Sequence, residues 1–459
     1  MARARTVWRS EPHRIGQRIP VRVPTAKWVR RGERAANAES GLTKERGEMM
    51  VQQEFEKSKQ RPAFPLPPPK DFPEKGLAED QVLDDVRDML KLNPYEVENN
   101  FSISYVGPPH PISKKVAEIV AGTFFVEWAR EDQPASFRME KEAGRMMASL
   151  LGAPNGVGFI TSGGTESNIS ALRLARNLAG ISEPEVVMPE SGHYSFRVAA
   201  DLLGINLKEA RVLDNFRPDM DQIESLITDK TVALVCSAPD GGYGLVDPVK
   251  EFSDIAVRKN LYLHVDGAFG GFILPFMREL GMDVPEFDFS LPGVSSMMTD
   301  GHKVGLLPVA TGCFVIRDEE MLQAIPTQDT VIHNVTATKN GDRAAIAWAT
   351  MRHLGREGYR ESVRRTIELR DYMVEGIEAI EGMRMVVKPQ VTVVHFTSDV
   401  YDVEKIHKEM LARGWGSSYG VSRGGPSMRL SIHPHRDMEH ANGFLQALED
   451  SVDAVRAGK

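Results

Sequence analysis

The chain has 459 residues and a formal net charge of −8, with 41% of its residues hydrophobic and 26% charged. This length allows a large domain with one or two smaller ones, and the composition is ordinary for a soluble globular enzyme. The acidic balance argues against nucleic acid as the main partner, two cysteines exclude a disulfide framework and indicate the reducing cytoplasm, and the interrupted apolar stretches predict no transmembrane helix.

The first fifty residues differ from the rest of the chain, because they are rich in Arg and almost without hydrophobic periodicity. They lack an apolar h-region, which argues against a secretory signal, and their glutamates argue against an acid-poor organellar targeting peptide. We therefore expect a disordered or extended arm over residues 1–60. A second interpretation is upstream sequence that precedes a start at Met49 or Met50.

A proline-rich connector and three helical patterns follow the arm. Residues 61–69 read Arg-Pro-Ala-Phe-Pro-Leu-Pro-Pro-Pro, which indicates an extended spacer, with an SH3-type ligand as the alternative. Apolar residues then recur at helical spacing, and Asn93 and Pro94 end the first of these patterns. The predicted helices cover residues 77–92, 112–128 and 137–151.

From residue 157 to about 317 the pattern changes to short apolar runs, rich in β-branched residues, that alternate with helix-length amphipathic segments. This alternation is typical of right-handed βαβ units around a mainly parallel sheet, whose buried strands read as continuous apolar runs. The predicted strands are residues 158–161, 185–188, 233–236, 262–265 and 313–316.

The C-terminal part of the chain predicts a small α+β domain. A long helical pattern covers residues 344–384 and is interrupted near 355–358, where glycines occur. Strands at 391–396 and 428–432 and helices at 403–413 and 438–455 follow. We divide the chain into an N-terminal segment (61–115), a large cofactor-binding domain (116–330) and a small C-terminal domain (331–459).

The strongest local motif is Thr-Ser-Gly-Gly-Thr-Glu-Ser-Asn (161–168), which follows a predicted strand and opens a helix predicted over 169–179. Paired glycines let the backbone approach an anion, and a helix N-terminus offers free N–H groups and the positive end of a dipole. Hydroxyl groups of Ser162, Thr165 and Ser167 can add donors to a phosphate. The alternative is an ordinary glycine turn with a Thr or Ser cap.

Two further motifs follow this phosphate-binding turn along the chain, first an aspartate at a strand end and then a lysine, and together the three predict one cofactor site. His-Val-Asp-Gly-Ala-Phe-Gly-Gly (264–271) puts Asp266 at the end of a strand, where a carboxylate can keep a pyridine nitrogen protonated, or can simply cap the next helix. Met-Thr-Asp-Gly-His-Lys-Val-Gly (298–305) puts Lys303 among small and apolar residues, where desolvation can make it a Schiff-base nucleophile. His193 follows another strand and can stack on a ring, or serve as a core or cap histidine.

These motifs resemble the group II decarboxylases that depend on pyridoxal 5′-phosphate (PLP), a family with the fold-type I transferase-like scaffold. The resemblance covers roughly residues 77–448 and implies an α/β domain with a mainly parallel seven-stranded sheet flanked by helices, plus a small C-terminal α+β domain. Within the superfamily, two branches are most similar: the archaeal tyrosine/aspartate decarboxylases and the sphingosine-1-phosphate lyases.

The resemblance also implies a role for each matching residue. Lys303 would bind PLP covalently, Asp266 would pair with the pyridine nitrogen, and His193 would stack on the ring, so these three are the predicted catalytic residues. The active site would be shared across a homodimer. The predicted cofactor-binding residues are Ser162, Gly163, Gly164, Thr165, His193, Ser237, Asp266, Ala268, His302, Lys303 and Thr338; Tyr105, His110 and Arg429 are substrate candidates, and no metal site is expected.

The motifs lean towards both branches. Gly-Phe-Ile-Leu-Pro-Phe-Met (271–277) and Ser-Ala-Pro (237–239) resemble the lyases, whereas Pro-His-Pro-Ile (109–112) and Met-Arg-Leu-Ser-Ile-His-Pro-His (428–435) resemble the decarboxylases. Ala238 stands where relatives often have Thr, and Lys-Asn-Gly (339–341) replaces a loop that commonly contains Arg in both branches. Arg binds a carboxylate or phosphate through two parallel hydrogen bonds, whereas Lys acts as a point charge.

The predicted function is a PLP-dependent carbon–carbon lyase of the cytoplasm that decarboxylates an L-amino acid to its amine. The alternative is retro-aldol cleavage of a phosphorylated amino alcohol to an aldehyde, which would need a second cationic cluster. His110, Lys114, Lys115 and Lys339 could supply that cluster, although a charge run is usually a solvated helix face. A protein that binds PLP without catalysis is the least favoured interpretation.

Overall fold

The computed structural model describes residues 72–91, 99–102, 106–121, 134–325, 335 and 341–458. The predicted arm and the proline-rich connector lie outside the described residues. The chain divides into two compact units, Met1–Leu92 and Asn93–Lys459. In the first unit, helix α1 (Glu79–Leu90) is the described element, and its apolar side chains are exposed.

Seven strands of the second unit form one sheet, in the order β1-β7-β6-β5-β4-β2-β3. Strands β2 to β6 pair in parallel, whereas β7 is antiparallel to both of its neighbours, β1 and β6. The expected mainly parallel seven-stranded sheet is therefore confirmed. Its strands are β1 (Val157–Thr161), β2 (Glu185–Pro189), β3 (Asn206–Ala210), β4 (Thr231–Ser237), β5 (Tyr262–Asp266), β6 (Val294–Asp300) and β7 (Gly312–Ile316).

Helices cover both faces of this sheet, and the alternation of side chains along each strand explains why. Leu234 and Cys236 of β4 belong to one buried cluster, and Ala233 and Val235 of the same strand belong to another. The first cluster includes apolar residues of α3, and the second includes those of α4. The helices are α2 (Pro111–Ala121), α3 (Pro134–Leu150), α4 (Gly164–Ala179), α5 (Ser195–Leu203), α6 (Met220–Ser225), α7 (Val249–Lys259) and α8 (Leu274–Glu279).

A four-stranded antiparallel sheet follows, in the order β10-β11-β9-β8. The long helix α9 (Asp342–Ala379) leads into it and is interrupted at Gly355, whose φ of 58° lies in the left-handed region that favours glycine. This break lies where the sequence predicted it. The remaining elements are β8 (Met383–Met385), β9 (Val393–Ser398), α10 (Val403–Ala412), β10 (Ser418–Ser422), β11 (Gly425–Ser431) and α11 (Met438–Arg456).

The described elements differ from the predicted ones at one helix end and in four strands. The long helix ends at Ala379 rather than residue 384, because a turn at Gly382, with a φ of 83°, leads into β8. Strands β3 and β6 of the large sheet, and β8 and β10 of the small one, were not predicted as strands. Among the described ranges, no helix is both long and apolar enough to cross a membrane.

Candidate active site

A cavity of about 560 Å³ opens at the carboxyl ends of the parallel strands. Its wall comes from the ends of β1, β2, β4, β5 and β6 and from the loops that follow them, which is where ligands bind in open α/β sheets. In-register pairing sets Ser237, Asp266 and Met298 side by side at this edge. The predicted residues that line the cavity are Ser162, Gly163, Gly164, Thr165, His193, Ser237, Asp266, Ala268, His302 and Lys303.

The glycine turn between β1 and α4 is tightly constrained. Gly163 has a φ of 127°, and Gly164 is the first residue of α4. A Cβ added to Gly164 would lie 2.9 Å from Asp300 Oδ2 and 2.9 Å from Met298 Cε, so no larger residue fits without displacing them. The backbone N–H of Ser162 donates to Glu166 Oε2 at 2.6 Å, which fixes the turn from its other side.

Asp266 is buried and is held by one hydrogen bond to each carboxylate oxygen. Oδ1 accepts from the backbone N–H of Ala268 at 3.1 Å, and Oδ2 accepts from Asn168 Nδ2 at 3.1 Å. A carboxylate has about four acceptor positions, so Asp266 retains capacity for a further donor in the cavity.

Lys303 lies in the turn between β6 and β7, and its Nζ forms a 3.0 Å ion pair with Asp300 Oδ2. The same ammonium group lies 4.6 Å from the centre of the Phe269 ring, and His302 Nε2 is 3.9 Å from Asp300 Oδ2. The sequence predicted a Schiff-base nucleophile among small and apolar residues, and the structure gives this lysine a carboxylate partner.

Asp300 is a cavity residue that sequence reasoning missed. It is buried, and within the described part of the chain its Oδ1 has no hydrogen-bond partner. The available signal was its position three residues before Lys303 in the motif already singled out for the lysine.

His193 lines the cavity, and its Nδ1 lies 2.8 Å from Ser195 Oγ. Desolvation by the surrounding protein lowers the pKa of His193, and the nearby Asp266 carboxylate opposes this effect. The imidazole ring lies against Tyr194, with 4.3 Å between ring centres. The neutral form of the imidazole is therefore favoured.

Of the predicted substrate residues, the two that the structure describes, His110 and Arg429, do not line the cavity. Tyr105 and the predicted cofactor residue Thr338 lie outside the described residues. His110 is 5.3 Å from His353, ring centre to ring centre, and burial lowers the pKa of His110. Arg429 lies on β11 opposite His395, and neither it nor His110 lines the cavity among the described residues.

A buried pair of acids supports the cavity wall from behind. Asp247 Oδ2 accepts from the backbone N–H of Ser237 at 2.7 Å, and three backbone N–H groups donate to Asp240. Burial, reinforced by the Asp240 carboxylate, raises the pKa of Asp247 to about 8. Sequence reasoning gave no role to either acid.

The residues of the cavity fit PLP. The lack of a Cβ at Gly164 lets the turn pack closely against Asp300 and Met298, and the turn borders free N–H groups at the start of α4. Asp266 offers a carboxylate to a pyridine nitrogen, and Lys303 offers an amine to an aldehyde within the same cavity.

Comparisons with known proteins agree with this geometry. The family described as "Pyridoxal-dependent decarboxylase conserved domain" matches residues 65–399. The L-aspartate decarboxylase of Thermococcus kodakarensis is 36% identical over 389 residues, which cover 83% of this chain and 98% of that protein. The probable L-tyrosine/L-aspartate decarboxylase of Methanothermobacter thermautotrophicus is 38% identical over 349 residues, 74% of this chain and 94% of that one.

Solved structures with the same fold include enzymes of more than one activity. The sphingosine-1-phosphate lyase of Burkholderia pseudomallei has a TM-score of 0.78 and 29% identity, covering 86% of this chain and 95% of that one. The glutamate decarboxylase of Lactobacillus brevis has a TM-score of 0.74 at 18% identity, covering 86% and 97%, which shows the fold alone.

Proposed function

Since the chain belongs to the pyridoxal-dependent decarboxylase family and is a PLP-dependent carboxy-lyase acting on an L-amino acid, we propose that its substrate is L-aspartate. The observation that carries the proposal is that one cavity holds Lys303, Asp266 and the glycine turn in a chain that matches an L-aspartate decarboxylase along 98% of that protein's length. Several of the similar relatives carry that name in full or as a probable assignment.

Each cavity residue has a separate proposed role toward PLP or the substrate. When bound, PLP withdraws electrons from the α-carbon of an amino-acid substrate, which makes loss of CO2 feasible. The glycine turn and His302 would hold the phosphate, Asp266 would keep the pyridine nitrogen positively charged, and Lys303 would hold the aldehyde carbon through its amine. Lys303 Nζ would also be placed to carry a proton to or from the α-carbon of the substrate.

The cavity also orients the substrate and limits water. Ala268, Phe269 and Met298 give its wall an apolar part beside Lys303. Groups that hold the two carboxylates of aspartate would select the bond that breaks by orienting the α-carbon in the cavity.

Arg429 is our candidate for binding a substrate carboxylate. Its guanidinium is partly buried, and burial lowers the pKa of Arg429, an effect that the acidic groups of Tyr243 and Asp240 oppose. Within the described residues no hydrogen bond or ion pair of this guanidinium is found. Arg429 interacts electrostatically with Tyr243, which directly follows Gly241 and Gly242 of the cavity wall.

CO2 release from L-aspartate, L-glutamate and L-tyrosine by the PLP-loaded protein tests the function. We expect the highest kcat/KM with L-aspartate. An Arg429→Gln variant should lose about 2–5 kcal/mol of substrate binding, roughly thirtyfold or more in KM. Arg423→Gln is the matched control, because Arg423 is exposed and pairs with Glu190 at 3.1 Å.

The substrate range of Arg429→Gln separates two roles. A defect with L-aspartate alone means that Arg429 binds the side-chain carboxylate, and an equal defect with L-tyrosine means that it binds the α-carboxylate. Absence of CO2 from every amino acid tested would refute the proposed function, and an Arg429→Gln variant with wild-type kinetics would remove Arg429 from it.

Cleavage of a phosphorylated amino alcohol is the second candidate, and the likeness to the Burkholderia lyase favours it. A second phosphate needs a cationic cluster, yet among the described residues that line the cavity Lys303 is the sole Lys or Arg. Lys114 and Lys115 are exposed on α2, and Lys339 lies outside the described residues. Aldehyde release from a phosphorylated long-chain base, without CO2 from amino acids, would establish this alternative.

We also propose that the protein is a cytoplasmic homodimer in which the two subunits share their active sites. This proposal is supported by the family resemblance, which puts Thr338 where the partner subunit reaches the phosphate. Light scattering after gel filtration should give twice the mass of one chain. A monomer with full activity would rule out shared sites.

A further inference from the structure

A chain of buried hydrogen bonds runs beneath the cavity from Asp266 to His193, and Asn168 lies at its branch point. Asn168 Nδ2 is 3.1 Å from Asp266 Oδ2 and 2.9 Å from Ser195 Oγ, and Ser195 Oγ is 2.8 Å from His193 Nδ1. Asn168 and Ser195 are almost fully buried, at 1% and 0% exposure, so water cannot substitute for these partners.

The direction of each hydrogen bond follows from the carboxylate. An ionised Asp266 can only accept, so the Asn168 group that faces it is the NH2 group. The second hydrogen of that NH2 group is donated to Ser195 Oγ. Ser195 therefore has its own hydrogen available, and the nearest acceptor is His193 Nδ1, which also faces the backbone N–H of Ser195 at 3.3 Å.

His264 fixes the same orientation from the other side of Asn168. Its Nε2 lies 2.9 Å from Asn168 Oδ1, and its Nδ1 lies 2.8 Å from Ser296 Oγ. Burial lowers the pKa of His264 to about 4, so this ring is neutral and carries one hydrogen. Because Asn168 Oδ1 only accepts, that hydrogen is on His264 Nε2, which agrees with the orientation that Asp266 imposes.

We propose that Asn168 and Ser195 are positioning residues that hold the proton of neutral His193 on Nε2, and that they make this arrangement depend on the charge of Asp266. With Nδ1 occupied by the Ser195 hydroxyl, Nε2–H is the donor that His193 offers to the cavity. The proposal rests on the proposed function for its catalytic meaning, since it identifies the proton that His193 can donate to a bound substrate.

The hydrogen bond from Ser195 also opposes protonation of His193. A proton on Nδ1 needs an acceptor, so the Ser195 hydroxyl must turn away from the ring before His193 can become imidazolium. Desolvation is the largest cause of the lowered pKa of His193, and we expect this hydrogen bond to lower it further. Removing the hydroxyl should raise the pKa of His193.

Nitrogen-15 NMR of the cofactor-free protein, with labelled histidine, tests the proposal without catalysis. In the wild-type protein we expect His193 Nδ1 to give the signal of an unprotonated nitrogen and Nε2 that of a protonated one. Ser195→Ala should shift both signals towards the average of exchanging tautomers and raise the pH at which His193 titrates, and Ser195→Thr should restore the wild-type pattern.

His407 gives a matched control within the same sample. Its Nδ1 lies 3.0 Å from Ser417 Oγ, which is the same kind of pair at a site outside the cavity. Ser417→Ala should change the His407 signals and leave His193 unchanged, and Ser195→Ala should do the reverse. Asn168→Ala is a second, independent variant that should also weaken the preference for Nε2–H, and it covers the case in which Ser195→Ala folds poorly.

Asp266→Asn distinguishes the hydrogen-bond chain from simple charge attraction. Asp266 acts on His193 through space as well, and that part does not need Ser195. If our proposal holds, the hydrogen-bond chain and the through-space attraction act on the pKa of His193 in opposite directions, so Asp266→Asn lowers this pKa by a smaller amount in the wild-type protein than in the Ser195→Ala variant. Equal shifts in both backgrounds would refute it.

Kinetics of the PLP-loaded enzyme then separate this proposal from the proposed function. Ser195→Ala should lower kcat by roughly tenfold with little change in KM, less than the 10²–10⁴-fold that a general acid contributes, and Ser195→Thr should recover most of the loss. Unchanged His193 signals in Ser195→Ala would overturn the positioning role while decarboxylation stands. A wild-type protein without decarboxylase activity would overturn the function while the NMR result stands.

Discussion

Replacing Asp300 by asparagine tests whether the buried carboxylate beneath the glycine turn opposes anion binding. Asp300 Oδ2 is 2.9 Å from the point that a Cβ on Gly164 would occupy, and its side chain is paired with Lys303. Asparagine keeps the size of the side chain and removes its charge, which leaves the Lys303 ammonium without a counter-ion. We expect the cofactor-free variant to bind inorganic phosphate more tightly than the wild-type protein.

The size of the effect follows from distance and screening. A phosphate held by the N–H groups of the turn would lie near the Asp300 carboxylate, and two unit charges about 7 Å apart interact by about 2 kcal/mol at an effective dielectric constant of about 20. Salt screens part of this energy. A gain of about 1–2 kcal/mol remains, which is about a fivefold to thirtyfold lower Kd.

Isothermal titration of the cofactor-free protein with phosphate, at fixed salt and pH, measures this Kd. Asp288→Asn is the matched control, because Asp288 is equally buried and pairs with Arg278 at 3.0 Å but does not line the cavity. The control should leave the Kd unchanged. Weaker phosphate binding by Asp300→Asn would refute the reasoning, because it would mean that Asp300 holds the anion as a hydrogen-bond donor.

Three further variants test other parts of the structure. Gly144→Ala should lower Tm in a thermal melt by costing about 3 kcal/mol, since its Cβ would lie 2.0 Å from Gly158 O where α3 crosses β1; an unchanged Tm would contradict this packing. Gly164→Ala should weaken PLP binding about tenfold in a fluorescence titration, because its Cβ would collide with Asp300. Wild-type affinity for PLP would contradict the role of the glycine turn in cofactor binding. Asp247 has a pKa raised to about 8, so between about pH 4 and 8 the unfolded chain releases a proton that the folded protein keeps, and stability falls as pH rises. Asp247→Asn should flatten the decline of Tm over this range, and an equal decline in both proteins would contradict the raised pKa.

The sequence was most informative where strands are apolar and fully buried. All seven residues of β4 are buried, and its apolar run was recognised. Strand β3 lies at the edge of the sheet and contains Lys208 and Glu209, so it lacks that pattern. Strand β6 lies between β5 and β7, yet it contains Ser296 and Thr299, both with no exposed surface. The partner of Ser296 is His264 on the neighbouring strand, a contact that spacing along the chain does not reveal.

The sequence also identified most, but not all, of the residues discussed in the candidate site. Ten of the predicted residues line one cavity because glycine turns and strand ends have local signatures that survive folding. Asp300 and Asn168 were missed, because the role of each depends on a partner across the turn or far away in the sequence. Asn168 forms hydrogen bonds with Asp266 and His264, which are 98 and 96 positions later in the chain. The roles of Arg429 and His110 stay predictions.

One contact ties the small sheet to the lysine itself. His433, just after β11, lies with its Nδ1 3.2 Å from the backbone carbonyl oxygen of Lys303. The C-terminal sheet therefore acts as a clamp on the main chain that carries the reactive amine. A rotation of that sheet must either break this hydrogen bond or move the main chain of Lys303 with it. Changes at the C-terminal end of the chain can therefore alter the position of the amine without contacting the cavity.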